Sequence, residues 1–420
     1  MANNTFQSVV REKSLPVAIV LLRWIAGAVF IFSGFTKGID LWGVMYKIDD
    51  YLNAFGWHWA LPYSGFVSIV LTTVEFVTGV MLFIGSFRRV TVIVALAMMA
   101  FMLPLTAYIA LYNPVPDCGC FGEALVISNT ATFWKNVVLT AVLCFLLWKN
   151  KTVRSLYGPA VQWLTALFST VYILIIIATG YFTQPLLDFR PYKIGTFLTG
   201  NNKNYIEFRF LYEKGGQQQW FDLENLPDST WTFIEREESA HEENNSETVN
   251  NIAIFDGDTD VTNDVLPTEG EAALLLIPDI ADINVASTFK INELYEYLSE
   301  SGINMICLTG GTDSDIVEWK EISMANYPVY KMDDTTLKTI ARGNPAFVRL
   351  KDGMILWKSA LDSITVDDIT SQDNVAGNGM GLLFWLTSIF ILLMVLLLIV
   401  NRTPLLIKFT VRLKKNRKKK

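Results

Sequence analysis

Residues 112–122 read Tyr-Asn-Pro-Val-Pro-Asp-Cys-Gly-Cys-Phe-Gly. Apolar runs over residues 90–112 and 132–148 flank this polar stretch. Each is close to the roughly 20 residues an α-helix needs to cross a hydrocarbon core. The stretch therefore reads as a loop between two membrane spans, with Cys118 and Cys120 held at one bilayer surface. A thiol pair on the oxidising side of a membrane can exchange electrons as a disulfide, whereas in cytosol it stays reduced. Which side the loop faces decides its chemistry.

Outward from that loop the chain stays apolar. Hydrophobic residues make up 51% of it, above the ordinary soluble range, so a membrane protein is expected. Spans are predicted over residues 17–35, 66–86, 90–112, 132–148, 161–182 and 380–400. The first is too long for a signal-peptide core and lacks a small-x-small exit. Arg11 and Lys13, Arg88 and Arg89, Lys149, Lys151 and Arg154, and the basic tail 414–420 all fall on one side of this arrangement. Positive charge marks the cytoplasmic side, so both termini are expected there. The Cys-Gly-Cys loop, with Asp117 and Glu123 and no base, is expected to face the periplasm across the inner membrane. The net charge of −7 hides this asymmetry, with acid concentrated outside and base inside. The partners expected on these grounds are the lipid bilayer and a periplasmic client or redox protein, not nucleic acid.

The predicted organisation is a four-span unit (1–150), a fifth span (160–183), a β-rich segment with an acidic loop (190–250), an α/β domain (252–372), a sixth span (380–400) and a basic tail (401–420). In the β-rich segment, strands are expected over 205–212, 217–222 and 230–235, followed by a mobile acidic loop over 235–251. From residue 252 the pattern changes. Strands are expected over 272–277, 303–308 and 327–332, helices over 287–300, 313–324 and 333–341, and a hairpin over 346–350 and 354–357. Such alternation implies parallel βαβ units closed by an antiparallel hairpin. Arg342-Gly-Asn-Pro345, then Ala-Phe-Val-Arg-Leu, then Lys-Asp-Gly353 makes the order resemble the thioredoxin fold. The resemblance implies a cis-proline at Pro345. It would place a Cys-x-x-Cys near residues 279–284, where this chain reads Asp-Ile-Ala-Asp-Ile-Asn. The resemblance thus implies the scaffold without its redox centre, a docking module rather than a catalyst.

The remaining cysteines, Cys144 in a span and Cys307 in a core strand, read as small hydrophobes. For Cys118 and Cys120 three readings compete: a redox pair, a structural disulfide and half of a metal site. The metal reading is the weakest, because zinc takes about four ligands and the only histidines are His58 and His241. The same scarcity argues against haem and histidine-ligated copper. A disulfide across one residue is strained and easy to exchange, which favours a redox pair over a staple.

Asp-Cys-Gly-Cys-Phe-Gly, followed by Thr132-Phe-Trp-Lys-Asn136, resembles the MauE family of four-span proteins linked to methylamine-dehydrogenase maturation. That family is similar to DoxX proteins and more remotely to vitamin K epoxide reductase. Phe32-Ser-Gly-Phe-Thr-Lys-Gly38 and Glu75-Phe-Val-Thr-Gly79 are also DoxX-like, and the whole arrangement resembles DoxX-family proteins of Bacteroidota. The likeness covers about residues 15–150. It implies a role in periplasmic disulfide chemistry or protein maturation.

The expected fold class is thus an α-helical membrane bundle, a four-helix MauE/DoxX-like unit plus two further spans. It carries an extracytoplasmic α/β thioredoxin-like domain and a small β-rich segment. Glu75 and Arg23 are the ionisable groups within spans, and they are read as either an ion pair or a proton or quinone site beneath the loop. Lys37, near a span end, is expected to snorkel. The preferred function is thiol–disulfide exchange at Cys118 and Cys120. An oxidase would send its electrons to a membrane quinone near Glu75. The alternative is a non-catalytic scaffold for envelope assembly with a structural disulfide, and transport through the bundle is the weakest reading.

Overall fold

A computed structural model describes residues 2–115, 117–152, 155–198, 206–214, 217–222, 231–240, 252–365 and 378–417. These divide into two compact units, residues 1–189 with 377–420, and residues 190–376.

The first unit is helical. Its elements are α1 (Ala2–Ile39), α2 (Leu41–Ala54), α3 (Ser64–Ile84), α4 (Arg88–Tyr112), α5 (Asn129–Trp148), α6 (Gln162–Phe182) and α11 (Asn378–Arg417). Among the described residues six helices, all but α2, are long and apolar enough to cross a membrane, as the sequence pattern implies. Their outward faces carry Ile25, Phe101, Leu111 and Val138, apolar side chains suited to lipid. The fifth and sixth spans belong to the same unit as the first four. Tyr172 of α6 stacks on Phe390 of α11 at 4.5 Å, and its hydroxyl lies 2.8 Å from Thr387 Oγ1.

The antiparallel pair α1 and α3 forms the closest crossing. A Cβ added at Gly34 would lie 2.6 Å from the Phe76 backbone nitrogen, and one at Gly79 would lie 2.5 Å from that of Ile31. Small residues let helix backbones approach in lipid, where van der Waals contact is the main attraction. This crossing fixes which polar groups meet inside the bundle.

In the second unit, β1 (Ile206–Lys214), β2 (Gln217–Asp222) and β3 (Thr232–Ala240) form an antiparallel sheet in the order β2-β1-β3. Residues 235–240, expected to begin the acidic loop, are strand. They pair antiparallel with β1, with Arg209 in register with Glu237. The rest of the expected loop, 241–251, lies outside the described residues.

The larger sheet follows through β4 (Ile254–Asp256), β5 (Thr259–Asp260), α7 (Thr262–Val265), β6 (Glu271–Ile277), α8 (Ser287–Glu300), β7 (Asn304–Thr309), α9 (Asp313–Ser323), β8 (Val329–Met332), α10 (Asp334–Ile340), β9 (Ala346–Lys351) and β10 (Met354–Ala360). The strand order is β10-β9-β6-β7-β8-β4-β5. Strands β6, β7 and β8 are parallel, and the β9–β10 hairpin adds antiparallel beside β6. Both faces of β6 are buried, as its unbroken apolar run requires. One core holds Leu275, Ile291, Leu294 and Phe347, and the other holds Leu274, Leu337, Ile340 and Val348. The Asn344–Pro345 peptide is cis, directly ahead of β9. Strand order, hairpin and proline together give a mixed α/β sheet domain resembling the thioredoxin fold. The β4–β5 edge, too short to carry a period, was not legible in the sequence.

Candidate functional site: the Cys-Gly-Cys loop and the bundle beneath it

The loop between α4 and α5 is held by groups from three other elements of the bundle, α1, α2 and α5. Asp117 accepts from the Gly119 N–H at 2.7 Å and pairs with Lys47 of α2 at 3.2 Å. The Tyr51 hydroxyl of α2 donates to the Cys118 carbonyl at 3.0 Å. Ser33 of α1 donates to the Cys120 carbonyl. Asn129 of α5 donates to the Val115 carbonyl at 3.2 Å. Gly119 has φ +65°, and a Cβ there would meet the Lys47 side chain at 2.8 Å, so glycine is required between the cysteines.

Both thiols are free and partly exposed. The Cys120 N–H donates to the Cys118 sulfur at 3.2 Å, and Thr132 Oγ1 of α5 lies 3.6 Å from it. A hydrogen bond from the Cys120 thiol, reinforced by Thr132, the Cys120 amide and the Lys135 charge, outweighs burial and lowers the Cys118 pKa to about 6. Cys120 moves the other way. Its bond to Cys118 and its burial push it well above the ordinary thiol value. The pair is therefore asymmetric, one sulfur poised as thiolate and its neighbour held as thiol. Burial, then the neighbouring thiols, raises the Tyr51 phenol, which stays neutral and able to donate.

Beside the thiols is a cavity of about 270 Å³ lined largely by apolar groups of α2, α3 and α4, among them Val44, Ile48, Leu71, Phe101 and Leu105. Cys118, Gly119 and Cys120 form part of its wall. Helix α2, which builds one side, falls between the first two predicted spans, where no helix was expected.

Below the loop, Glu75 pairs with Lys37 at 2.6 Å. The snorkelling expected of Lys37 is thereby corrected: it is 5% exposed, and the α1–α3 crossing at Gly34 and Phe76 brings it level with Glu75. Arg23 is not the partner of Glu75. It is buried near Gly85, Ser86 and Arg88, at the opposite end of the bundle from the loop. Glu75 therefore belongs with the cysteines and Arg23 does not. Ser33, Thr132 and Lys135 were not singled out by the residue reading, although all three fall in the segments that carried the family resemblance.

Cys144 lies on the outer surface of α5. In the second unit Cys307 is buried in β7, and burial pushes its thiol far up, which leaves it inert. At the place where a thioredoxin would carry its cysteines, the Asn344 amide grips the Asp279 backbone. It donates to the Asp279 carbonyl at 2.6 Å and accepts from its N–H at 3.2 Å.

Residues 15–149 match the family model "Methylamine utilisation protein MauE". The first four spans and their thiol loop are a MauE-family membrane domain. Residues 206–243 match a second model, "Domain of unknown function (DUF8463)", which covers the three-stranded sheet. No curated protein matches the chain. Similar solved structures include the reduced 2-Cys peroxiredoxin of Plasmodium vivax, at 14% identity over 28% of this chain and 72% of that one, with a TM-score of 0.22. Mycobacterium tuberculosis AhpC is 11% identical over 47% of this chain and 97% of its own, with a TM-score of 0.21. At such scores the fold assignment rests on strand order and not on these likenesses.

Proposed function

We propose that this MauE-domain protein carries out thiol–disulfide exchange through Cys118 and Cys120 on the periplasmic face of the inner membrane. The observation that carries the reading is the Cys118 sulfur, hydrogen-bonded by the Cys120 amide and beside Thr132 on a loop fixed by α1, α2 and α5. The Cys118 thiolate attacks a client disulfide, forming a Cys118–client bond and releasing one client thiolate. Cys120 then attacks Cys118, closing the Cys118–Cys120 disulfide and releasing the second client sulfur. Two electrons pass from the loop to the client, and the reverse sequence oxidises a client dithiol. The second unit, whose single thiol is buried, serves to dock the client.

A membrane quinone would supply a two-electron sink if the pair acts as an oxidase. Its flat apolar ring suits the cavity walled by Val44, Ile48, Leu71, Phe101 and Leu105, against which the loop thiols lie.

The test is trapping in cells. Cys120→Ser should leave Cys118 joined to a client as a mixed disulfide visible on a non-reducing gel, and Cys118→Ser should trap far less. A pair that stays oxidised in every condition and gives no adduct would overturn exchange and favour the scaffold with a structural disulfide.

A further inference from the structure

The Lys37–Glu75 pair would be an ordinary structural ion pair if it stood alone, since a buried charge is costly without a partner. It does not stand alone. A second, small cavity of about 30 Å³ is lined by Lys37, Glu75, Ser33, Lys135, Asn136 and Cys120. That is enough room for a water. The charged groups on this cavity are Lys37 from α1, Glu75 from α3 and Lys135 from α5, while α4 contributes only methionines. Two cations face one carboxylate. Lys135 lies 4.2 Å from the Phe121 ring centroid, beside Cys120. The enclosure has room electrostatically for one more negative charge, and Cys120 is the ionisable group in its wall that can supply it.

The connection is also physical. Glu75 Oε2 is 2.6 Å from Lys37 Nζ, which donates to Ser33 Oγ at 3.3 Å, and Ser33 donates to the Cys120 carbonyl. A change of partner at Lys37 therefore reaches the loop backbone through one hydroxyl.

We infer that Lys37 and Glu75 are a positioning pair for Cys120, in which Lys37 exchanges the Glu75 carboxylate for the Cys120 thiolate as its counterion while the proton moves from sulfur to carboxylate. The inference rests on the thiol-exchange reading and assigns the step that follows capture of the client. In the Cys118–client mixed disulfide, the Cys120 proton passes to Glu75, leaving a thiolate between Lys37 and Lys135. That thiolate attacks the Cys118 sulfur. The Cys118–Cys120 bond forms, the Cys118–client bond breaks, and the departing client thiolate takes the proton from Glu75. Lys37 has one anionic neighbour before the proton transfer and one after it, so preparing the attacking thiolate adds no net charge to the buried site.

The test uses the full-length protein in the Cys118→Ser background, where Cys120 is the one thiol of the loop. Its alkylation by N-ethylmaleimide is followed against pH. Lys37→Met should raise the midpoint by at least one unit, slowing alkylation about tenfold below it, and Lys37→Arg should restore it. Glu75→Gln should do the opposite, lowering the midpoint and speeding alkylation about tenfold, because Lys37 is left with the sulfur as its only anion. A purely structural pair predicts shifts of one sign in both variants or no shift at all, and either result would overturn the inference. Lys135→Met lies outside the ion pair and provides a second handle if the others do not reach the membrane. It too should raise the midpoint, and an unmoved midpoint there would count against the proposal. Client trapping by Cys120→Ser, with Lys37, Glu75 and Lys135 unchanged, tests the exchange reading by itself. Loss of trapping with the opposed shifts intact would sink the exchange reading alone.

Discussion

The sharpest consequence of the loop geometry is the ionisation of Cys118. With a pKa lowered to about 6, about nine-tenths of this thiol is thiolate at pH 7, against a few per cent for an ordinary cysteine near 8.5. The thiolate population is roughly thirtyfold higher, yet reactivity at pH 7 rises much less. Nucleophilicity falls with pKa at a Brønsted slope of about 0.4–0.5, so a shift of about 2.5 units makes each thiolate some tenfold weaker. A rate at one pH is thus a poor readout, and the midpoint of the pH–rate profile is the decisive one. Alkylation of the reduced protein in detergent, with Cys118 resolved by peptide mapping, should give a midpoint near 6. The largest cause is the hydrogen bond from the Cys120 thiol. Cys120→Ala removes that donor and should raise the midpoint by about one unit or more, leaving Thr132 and the amide to hold the rest. Cys120→Ser keeps a hydroxyl donor and should fall between. A wild-type midpoint near 8.5, or one unmoved by Cys120→Ala, would refute the picture of an activated first thiol.

Two further predictions address the frame. Gly34→Ala places a methyl 2.6 Å from the Phe76 backbone and should destabilise the bundle by about 1–3 kcal/mol in thermal unfolding, whereas Gly381→Ala, with nothing within 4 Å, should be close to neutral. Equal effects at both would show that the α1–α3 crossing is looser than described. Periplasmic reporters fused after Asn113 and after Gly200 should be active if the basic flanks set the orientation, and an active cytoplasmic reporter at either site would reverse it.

The parts of this molecule that were legible in the sequence are those governed by a local period. The six spans follow from hydrocarbon thickness, which a run of apolar residues either meets or does not. The order of β6, α8, β7, α9, β8, α10, β9 and β10 follows from unbroken apolar runs set between helical spacings. The short β4–β5 edge has no period to read. Helix α2 lies between the first two predicted spans, in a stretch too short and too polar to read as a span, so its helical face went unnoticed. The acidic composition of residues 235–240 pointed to a loop, although pairing with β1 makes them strand.

The site was only half legible, for a different reason. Cys118 and Cys120 stand out chemically, but their partners are defined by which helices cross, and crossing is a long-range property. Lys37 looked like a span-end lysine because depth was judged from its own helix. The close approach at Gly34 and Gly79 places it against Glu75 instead. A signal was nonetheless available in the spacing. Ser33 and Lys37 are four residues apart on α1, while Thr132, Lys135 and Asn136 fall at i, i+3 and i+4 on α5. Each set makes a polar stripe on one face of a membrane helix. Polar stripes in lipid turn inward, because a polar group facing hydrocarbon has nothing to bond. Two such stripes flank the Cys-Gly-Cys loop in sequence, and Glu75 lies on a third helix joined to α1 by glycine contacts. Polar stripes together with small-residue crossings, rather than individual charges, separate Lys37 from Arg23 in the sequence itself.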